Sequence, residues 1–246
     1  MAEAISGAAP QRRAVAAGRG KAWWTESWAL FKKSPGMWVL YAAIFLAGSV
    51  ILSHIAIVGS LVGTVLTVVI MGSWMLAARK LEAGEALEVA DLFAGFKDKV
   101  KPLLILGFYA AGASVAIFFV MVVIGGGAML TMVSGMGNAS MDGMMPSFGV
   151  GALSVLVALA LTFLMSMALW FAPPLIVFDG LTAQQAVKAS WSASRANIAP
   201  FTIHGLLWIV AAIVASILLM LGWLVLVPLT MLAMYFSYRD IFSSGK

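Results

Sequence analysis

Few side chains in this sequence could perform acid-base catalysis, hold a metal or relay a proton. Cysteine is absent, which excludes thiolate metal sites, thiol nucleophiles and disulfides. The stretch between Lys33 and Arg79 has no acid or base of formal charge, and the titratable groups of note in the apolar runs are His54 and His204. Ion-coupled transporters use intramembrane acids and bases as relays, so this pattern argues against proton coupling. Each histidine could sense pH or bind a ligand, or could simply bond a neighbouring backbone group.

A paired proline followed by an acid stands near the end of the fourth long apolar run. Pro173 and Pro174 each remove a backbone donor, so we expect them to bend or end the helix. Such a break could line a cavity, or the helix could simply end there. Asp179 follows, and we expect it to form a cytoplasmic ion pair with Arg195 or Arg239. It could instead cap the helix that comes next.

Methionines are concentrated among glycines between the third and fourth apolar runs: Met129, Met132, Met136, Met141, Met144 and Met145. Thioethers can hold Cu(I), but a flexible apolar loop lying on the membrane explains the same composition. The motif at 138–140 matches an N-glycosylation acceptor, which we interpret as a coincidence. We therefore expect no catalytic residue, no cofactor and no metal, and predict that the protein is not an enzyme.

Long apolar runs must position these residues. Hydrophobic residues make up 63% of the chain and charged residues 10%, an excess that indicates a membrane protein. Lipid offers no hydrogen-bond partner to the backbone, and the runs lack the alternation of barrel strands, so the spans must be helices. We predict an all-α membrane protein with six transmembrane helices, over residues 36–57, 59–78, 102–124, 151–177, 199–221 and 223–238.

The basic residues are distributed asymmetrically along these spans. Six precede the first span, five lie between the second and third, two between the fourth and fifth, and two follow the sixth. The other loops contain none, so by the positive-inside rule both termini are predicted to be cytoplasmic. Residues 1–20 are predicted to be a disordered basic tail, and 21–246 a single six-span domain. The expected partners are anionic phospholipid headgroups on the cytoplasmic side, with a membrane protein as a further candidate, and no nucleic acid.

Three polar segments precede the first, third and fifth spans, and they align when three aromatic residues are superposed: Trp28, Phe93 and Trp191. A basic residue follows each aromatic residue by four positions, one turn along the same helical face: Lys32, Lys97 and Arg195. A ring at the headgroup level and a basic group that reaches phosphate together anchor the following helix. We predict three repeats of an interfacial helix plus a helical hairpin. Chance alignment is the competing explanation, because both residue types are common at membrane boundaries.

The segment LTAQQAVKASWSASRANIAPF, preceded by APPLIVFDG and followed near the end of the chain by MYFSYRDIF, resembles an uncharacterised family of six-span bacterial inner-membrane proteins. That family is distantly similar to the membrane domain attached to some glycerophosphodiester phosphodiesterases. The resemblance extends from about Trp23 to Phe242 and rests on short motifs. It implies a bacterial inner membrane and no established activity. The sequence includes no soluble phosphodiesterase domain, so no catalytic role is carried over to any residue.

Two functions remain open on the sequence. The first is a non-catalytic inner-membrane protein that binds lipid or a partner protein and helps to organise or assemble a membrane process. The alternative is a small carrier or channel-like transporter for an apolar or amphipathic molecule, with a cavity beneath Pro173 and Pro174. An intramembrane enzyme is least favoured, because no acid pair, metal cluster or activated nucleophile is placed for it.

Overall fold

The computed structural model of the protein describes residues 10–97, 99–135, 141–217 and 221–242. Within these residues a short 3-10 helix, Val89–Phe96, accompanies nine α-helices, and no strand is formed. The α-helices are α1 (Arg19–Phe31), α2 (Pro35–Ser53), α3 (Ala56–Glu82), α4 (Val100–Gly135), α5 (Met141–Leu169), α6 (Ala172–Asp179), α7 (Ala183–Ala196), α8 (Ile198–Ile217) and α9 (Trp223–Phe242). The predicted all-α class is confirmed.

In the part of the chain that the structure describes, six segments are helical, long and apolar enough to cross a membrane: Pro35–Ser53, Ile57–Glu82, Val100–Gly126, Gly149–Asp179, Ile198–Ile217 and Trp223–Phe242. Large apolar side chains on these helices are exposed, with Ile57 76%, Ile217 73% and Val123 80% accessible. Water would penalise so much exposed apolar surface, whereas lipid accepts it. The prediction of six membrane helices is therefore confirmed. The order of one short helix followed by two long ones also occurs three times, beginning at α1, at the 3-10 helix and at α7.

The turn between the first two membrane helices lies earlier than the predicted spans, 36–57 and 59–78, would place it. Helix α2 ends at Ser53 and α3 begins at Ala56, so His54 and Ile55 form the connection. Gly59 lies inside α3, and a Cβ atom there would collide with the main-chain oxygen of Leu52. The glycine thus permits a close approach at the hairpin. A continuous apolar run carries no signal that fixes such a turn, which explains the shift.

The fourth span is interrupted two residues before the paired prolines. Helix α5 ends at Leu169, and Pro173 and Pro174 lie in the first turn of α6, where a missing backbone donor removes no helical bond. Both prolines are buried, and α6 packs against α3 and α7. Helix α6 ends at Asp179, and Gly180 follows with a φ of +68°, the left-handed conformation that favours glycine at a helix C-terminus.

The polar segment before the third span, predicted as an interfacial helix, belongs to three elements. The end of α3 extends to Glu82, the 3-10 helix follows, and α4 begins at Val100. The 3-10 helix docks on α3 through Gly95, whose N–H donates to Ser73 Oγ at 2.9 Å, and through Lys80, whose Nζ contacts Asp91 at 2.9 Å. This helix is therefore fixed to the membrane helix that precedes it.

The described chain divides into two compact units. One comprises the chain up to Phe108 and again from Ala168, and the other comprises Tyr109–Met167. In the first unit, α1 packs against α8 and α9, and both α2 and α3 pack against α9. Helix α1 approaches α8 at Gly20, where a Cβ atom would collide with the main-chain oxygen of Pro200. The amphipathic α1 is thus held against the last two membrane helices.

Candidate functional site

A charged cleft lies where α1, the C-terminal end of α3, the C-terminal end of α9 and the segment before α1 meet. Its volume is about 380 Å³, and it is lined by Arg13, Arg19, Glu26, Glu82, Phe236, Arg239 and Asp240. Three guanidinium groups and three carboxylates therefore face one space. We call this site the charged cleft. The elements that bring these residues together are α1 with the segment before it, the second span and the last span.

Asp240 is the most connected acid of the charged cleft. Its Oδ2 accepts bonds from Arg19 Nε at 2.5 Å and from Trp23 Nε1 at 2.6 Å. Arg13 donates to the main-chain oxygen of the same residue. The bond to Asp240 is the main cause that raises the pKa of the Arg19 guanidinium above its ordinary value. Because Trp23 is fully buried, this carboxylate ties the core side of α1 to the end of α9.

A second group of contacts joins α9 to α3. Arg239 pairs with Glu82, and the Tyr235 hydroxyl donates to Glu82 Oε2 at 2.7 Å. The Arg239 guanidinium lies 5.8 Å from the ring centroids of Tyr235 and Phe236. The Arg239 and Glu82 side chains are 44% and 34% exposed, so solvent weakens their attraction and an exposed pair of this kind contributes at most about 1 kcal/mol.

Asn197, between α7 and α8, holds the segment that precedes α1. Its Oδ1 accepts from the Val15 N–H at 2.8 Å, and its Nδ2 donates to the Arg13 oxygen at 3.1 Å. The Arg13 N–H donates to the oxygen of Ile241 at 3.0 Å. Residues 1–20 were predicted to be a disordered tail, whereas these bonds hold Arg13 and Val15 against the last helices. Residues 1–9 lie outside the described part. The cause is tertiary: one buried amide supplies both a donor and an acceptor to the backbone.

The predicted ion-pair residues have other partners in the structure. Arg239 contacts Glu82, as described above. Asp179 accepts a hydrogen bond from the Tyr238 hydroxyl at 2.6 Å, which joins α6 to α9. Arg195 lies with its guanidinium 6.0 Å from the Trp191 ring centroid, one turn along α7. Pairing of Asp179 with a base stays a prediction. The helix after it is capped by Thr182, whose side chain accepts from Gln185 N.

The two histidines lie in different surroundings. His54 is exposed at the end of α2, where its Nδ1 is 2.8 Å from the Val50 oxygen. His204 is buried in α8, and its ring centroid lies 5.4 Å from Trp170, 5.5 Å from Trp24 and 6.1 Å from Trp23. Two tryptophan rings of α1 and the ring of Trp170 therefore pack around His204.

The three predicted anchors expose their charged groups. Lys32, Lys97 and Arg195 are all exposed. Of the aromatic partners, Trp28 is 46% and Phe93 47% accessible, and Trp191 is half-buried. This arrangement leaves a ring and a charge available together at the start of three helical hairpins.

The methionine cluster and the motif at 138–140 lie outside the residues whose side chains are described. Elsewhere, among the described residues, no group of three or more His, Asp or Glu is placed to hold a metal.

Reasoning from the sequence missed the charged cleft as a unit. Arg19 and Asp240 are separated by 221 residues, and Glu82 and Arg239 by 157. The available signal was local: Arg19 and Glu26 are seven positions apart, two helical turns, and their side chains meet at 2.8 Å. The adjacent charges Arg239 and Asp240 gave a second local signal at the end of an apolar run.

Comparison with known proteins finds a bacterial relative of this chain. The chain is 28% identical over 209 residues to a protein of Burkholderia thailandensis named "probable inner membrane protein", and the match covers 82% of this chain and 76% of the relative. This match and the six apolar helices together identify the class of protein. The chain is a multi-pass membrane protein. The relative's name supports an inner-membrane location. No protein-family model and no solved structure matches the chain.

Proposed function

We propose that the protein is a non-catalytic component of a bacterial inner membrane that binds lipid headgroups and helps to organise or assemble a process at the cytoplasmic leaflet. The observation that carries this proposal is the exposure of three aromatic and basic pairs, one before each helical hairpin. The proposal includes an orientation with both termini in the cytoplasm. This orientation places every basic residue on the cytoplasmic side of the spans, as the positive-inside rule predicts.

The pairs suit an anionic membrane surface. Each ring can lie at headgroup depth while the basic side chain, four residues further along the chain, reaches a phosphate. Arg195 lies near the Trp191 ring, so a single patch offers both an apolar face and a charge. Electrostatic attraction to anionic lipid contributes about 1 kcal/mol per basic residue near the surface. Three such sites around one bundle would favour a shell of anionic lipid.

The non-catalytic part of the proposal rests on the scarcity of titratable groups in the spans. The carrier hypothesis receives less support, because Pro173 and Pro174 are buried where it requires a cavity. The space between α2, α3 and α9, lined in part by Phe45, Trp74 and Met231, is about 10 Å³, roughly one water probe. The resemblance to the membrane domain of phosphodiesterases stays a prediction, and it assigns no role to any residue.

Lipid retention by the purified protein tests the proposal. A triple variant, Lys32→Gln, Lys97→Gln and Arg195→Gln, is extracted from membranes of mixed lipid, and its bound lipids are measured by native mass spectrometry. Each substitution removes about 1 kcal/mol of binding free energy, so we expect roughly fivefold less phosphatidylglycerol bound at each pair.

The matched control removes the same charge from exposed lysines that are not in the pairs: Lys21→Gln, Lys33→Gln and Lys188→Gln. We expect the control to retain most of its phosphatidylglycerol. Equal retention by wild type and the triple variant would refute lipid binding at the pairs, and equal loss from both triple variants would show that only net charge matters.

A further inference from the structure

We infer that the charged cleft binds a zwitterionic group that contains a phosphate and an ammonium, as in an ethanolamine phosphate. The inference goes beyond the proposed lipid binding at the three anchors, because it concerns a separate site. The same chemistry occurs in a phospholipid headgroup and in a soluble phosphoethanolamine, and the experiment below distinguishes the two sources.

The charges that line the cleft are balanced in number and both signs are reachable. Arg19 and Glu26 have side chains 35% and 34% exposed, and the Arg239 and Glu82 pair is similarly exposed. A purely anionic ligand would meet Glu26 and Glu82, and a purely cationic ligand would meet three guanidinium groups. Like charges brought together in this way are unfavourable. A ligand with one charge of each sign satisfies both sets of side chains.

Arg13 provides the best position for the phosphate. In the described structure its guanidinium bonds a main-chain oxygen of Asp240, whereas Arg19 and Arg239 bond carboxylates. The positive charge of Arg13 is therefore the least compensated of the three. A planar guanidinium donates in a fork that matches phosphate oxygens, so Arg13 can bind phosphate without breaking a carboxylate pair.

Glu26 provides the position for the ammonium. Its Oε1 accepts one bond, from Arg19 at 2.8 Å, and a carboxylate has about four acceptor positions. The remaining positions can accept N–H donors of a primary ammonium. Because Glu26 lies on α1 and Arg13 lies just before α1, the two ends of the ligand are bound by one continuous segment of the chain.

The location of the cleft fits a headgroup. Glu82 is the last residue of α3, and Arg239 and Asp240 lie in the last turn of α9, so the cleft lies where two apolar helices end. The polar headgroups of a bilayer occupy this depth. The volume of about 380 Å³ falls in the lower part of the range for small-molecule sites.

Binding is measured with the full chain in a mild detergent, using dihexanoyl phosphatidylethanolamine, dihexanoyl phosphatidylglycerol and soluble phosphoethanolamine as probes in isothermal titration calorimetry. We expect saturable binding of the ethanolamine lipid in preference to the glycerol lipid. Arg13→Gln should weaken both lipids about tenfold, because it removes a charge-assisted bond to the shared phosphate. Glu26→Gln should weaken only the ethanolamine lipid and so reverse the preference.

Arg12→Gln and Glu85→Gln are the matched controls, since both residues are exposed and neither lines the cleft. Circular dichroism confirms that each variant is folded, and the altered preference of Glu26→Gln tests the inference even if Arg13→Gln is unstable. Failure of the ethanolamine lipid to saturate, or a preference unchanged by Glu26→Gln, would overturn the inference.

The triple anchor variant should keep full affinity for the ethanolamine lipid, so failure at the anchors and failure at the cleft are separate results. If soluble phosphoethanolamine binds as tightly as the lipid, the headgroup alone is recognised. If it binds much more weakly, the ligand is the lipid.

Discussion

At the scale of residues, Asp240 has the largest structural role in the charged cleft. One carboxylate oxygen accepts from Arg19 and from the buried indole of Trp23, while the main chain accepts from Arg13. The side chain is 17% exposed, so its charge is only partly solvated. Hydrogen bonds to charged groups are stronger than those between neutral groups.

We predict that Asp240→Asn lowers the melting temperature of the detergent-solubilised protein. The amide keeps an acceptor for Trp23 but removes the negative charge, and a charged hydrogen bond contributes about 1.5–3 kcal/mol. Because the Arg19 side chain is partly exposed, we expect the loss of stability to lie at the lower end of this range. Tryptophan fluorescence during heating measures the transition.

Asp240→Glu serves as the control for charge, because it keeps the carboxylate on a longer side chain. It should recover part of the loss. A melting temperature unchanged in Asp240→Asn would show that the bond between α1 and α9 contributes little to stability.

Single residues of the site were only partly predictable. The sequence identified Arg239 and Asp179 as charged groups at helix ends, and the structure places both there. It could not identify Glu82 as the partner of Arg239, because spacing along the chain carries no information about contacts between residues 157 positions apart. Local patterns predict helices and their faces, but tertiary packing decides which ends meet.

At the scale of elements, the contact of the 3-10 helix with α3 depends on a missing side chain. Gly95 lies so close to α3 that a Cβ atom would be 2.6 Å from the main-chain oxygen of Val69 and 2.9 Å from Ser73 Oγ. The Gly95 N–H also donates to that hydroxyl. Because backbone cannot move aside as a flexible side chain does, only glycine fits.

We predict that Gly95→Ala displaces the 3-10 helix and destabilises the first compact unit. Overpacking of this kind generally costs about 1–3 kcal/mol. Limited trypsin digestion should cut faster after Lys97 and Lys99, the basic residues that follow the helix.

Gly48→Ala is the matched control, because a Cβ atom there has no neighbour within 4 Å. It should digest like the wild type. Equal digestion of Gly95→Ala and the wild type would contradict the close contact.

Element boundaries show where pattern reasoning succeeds and where it fails. A helix was expected to follow Asp179, and the capping box of Thr182 and Gln185 begins α7 there. The break in the fourth span, however, precedes Pro173 because prolines are tolerated in a first helical turn. Capping residues mark a boundary directly, whereas a proline only excludes the interior of a helix.

At the scale of the whole molecule, the absence of native cysteine makes orientation directly measurable. Single cysteines can be introduced without background labelling. We predict that Ile55→Cys, between α2 and α3, reacts with a membrane-impermeant maleimide in intact spheroplasts. Glu85→Cys and Lys188→Cys should react only after permeabilisation, because the positive-inside rule predicts a cytoplasmic location for those segments.

Labelling after detergent lysis is the control, and there all three positions should react because each residue is exposed. The reverse pattern in intact spheroplasts would place the termini outside and would contradict the proposed cytoplasmic site of lipid binding.

Six crossings were predictable for the whole chain because hydrocarbon thickness sets the length of each apolar run. The attachment of α1 to α8 and α9 was not, since it depends on Gly20 and on Asn197 meeting distant backbone. Composition determines how often the chain crosses the membrane. Specific contacts determine how the crossings assemble.

The packing of α1 also sets an order of events during synthesis. The ribosome makes α1 before α8 and α9, the helices against which α1 packs. Until α9 is inserted, the indole of Trp23 and the charges of Arg13 and Arg19 have no Asp240 to meet. Docking of α1 therefore requires that α8 and α9 have already been inserted, and a chain truncated before α9 would leave α1 without this packing surface.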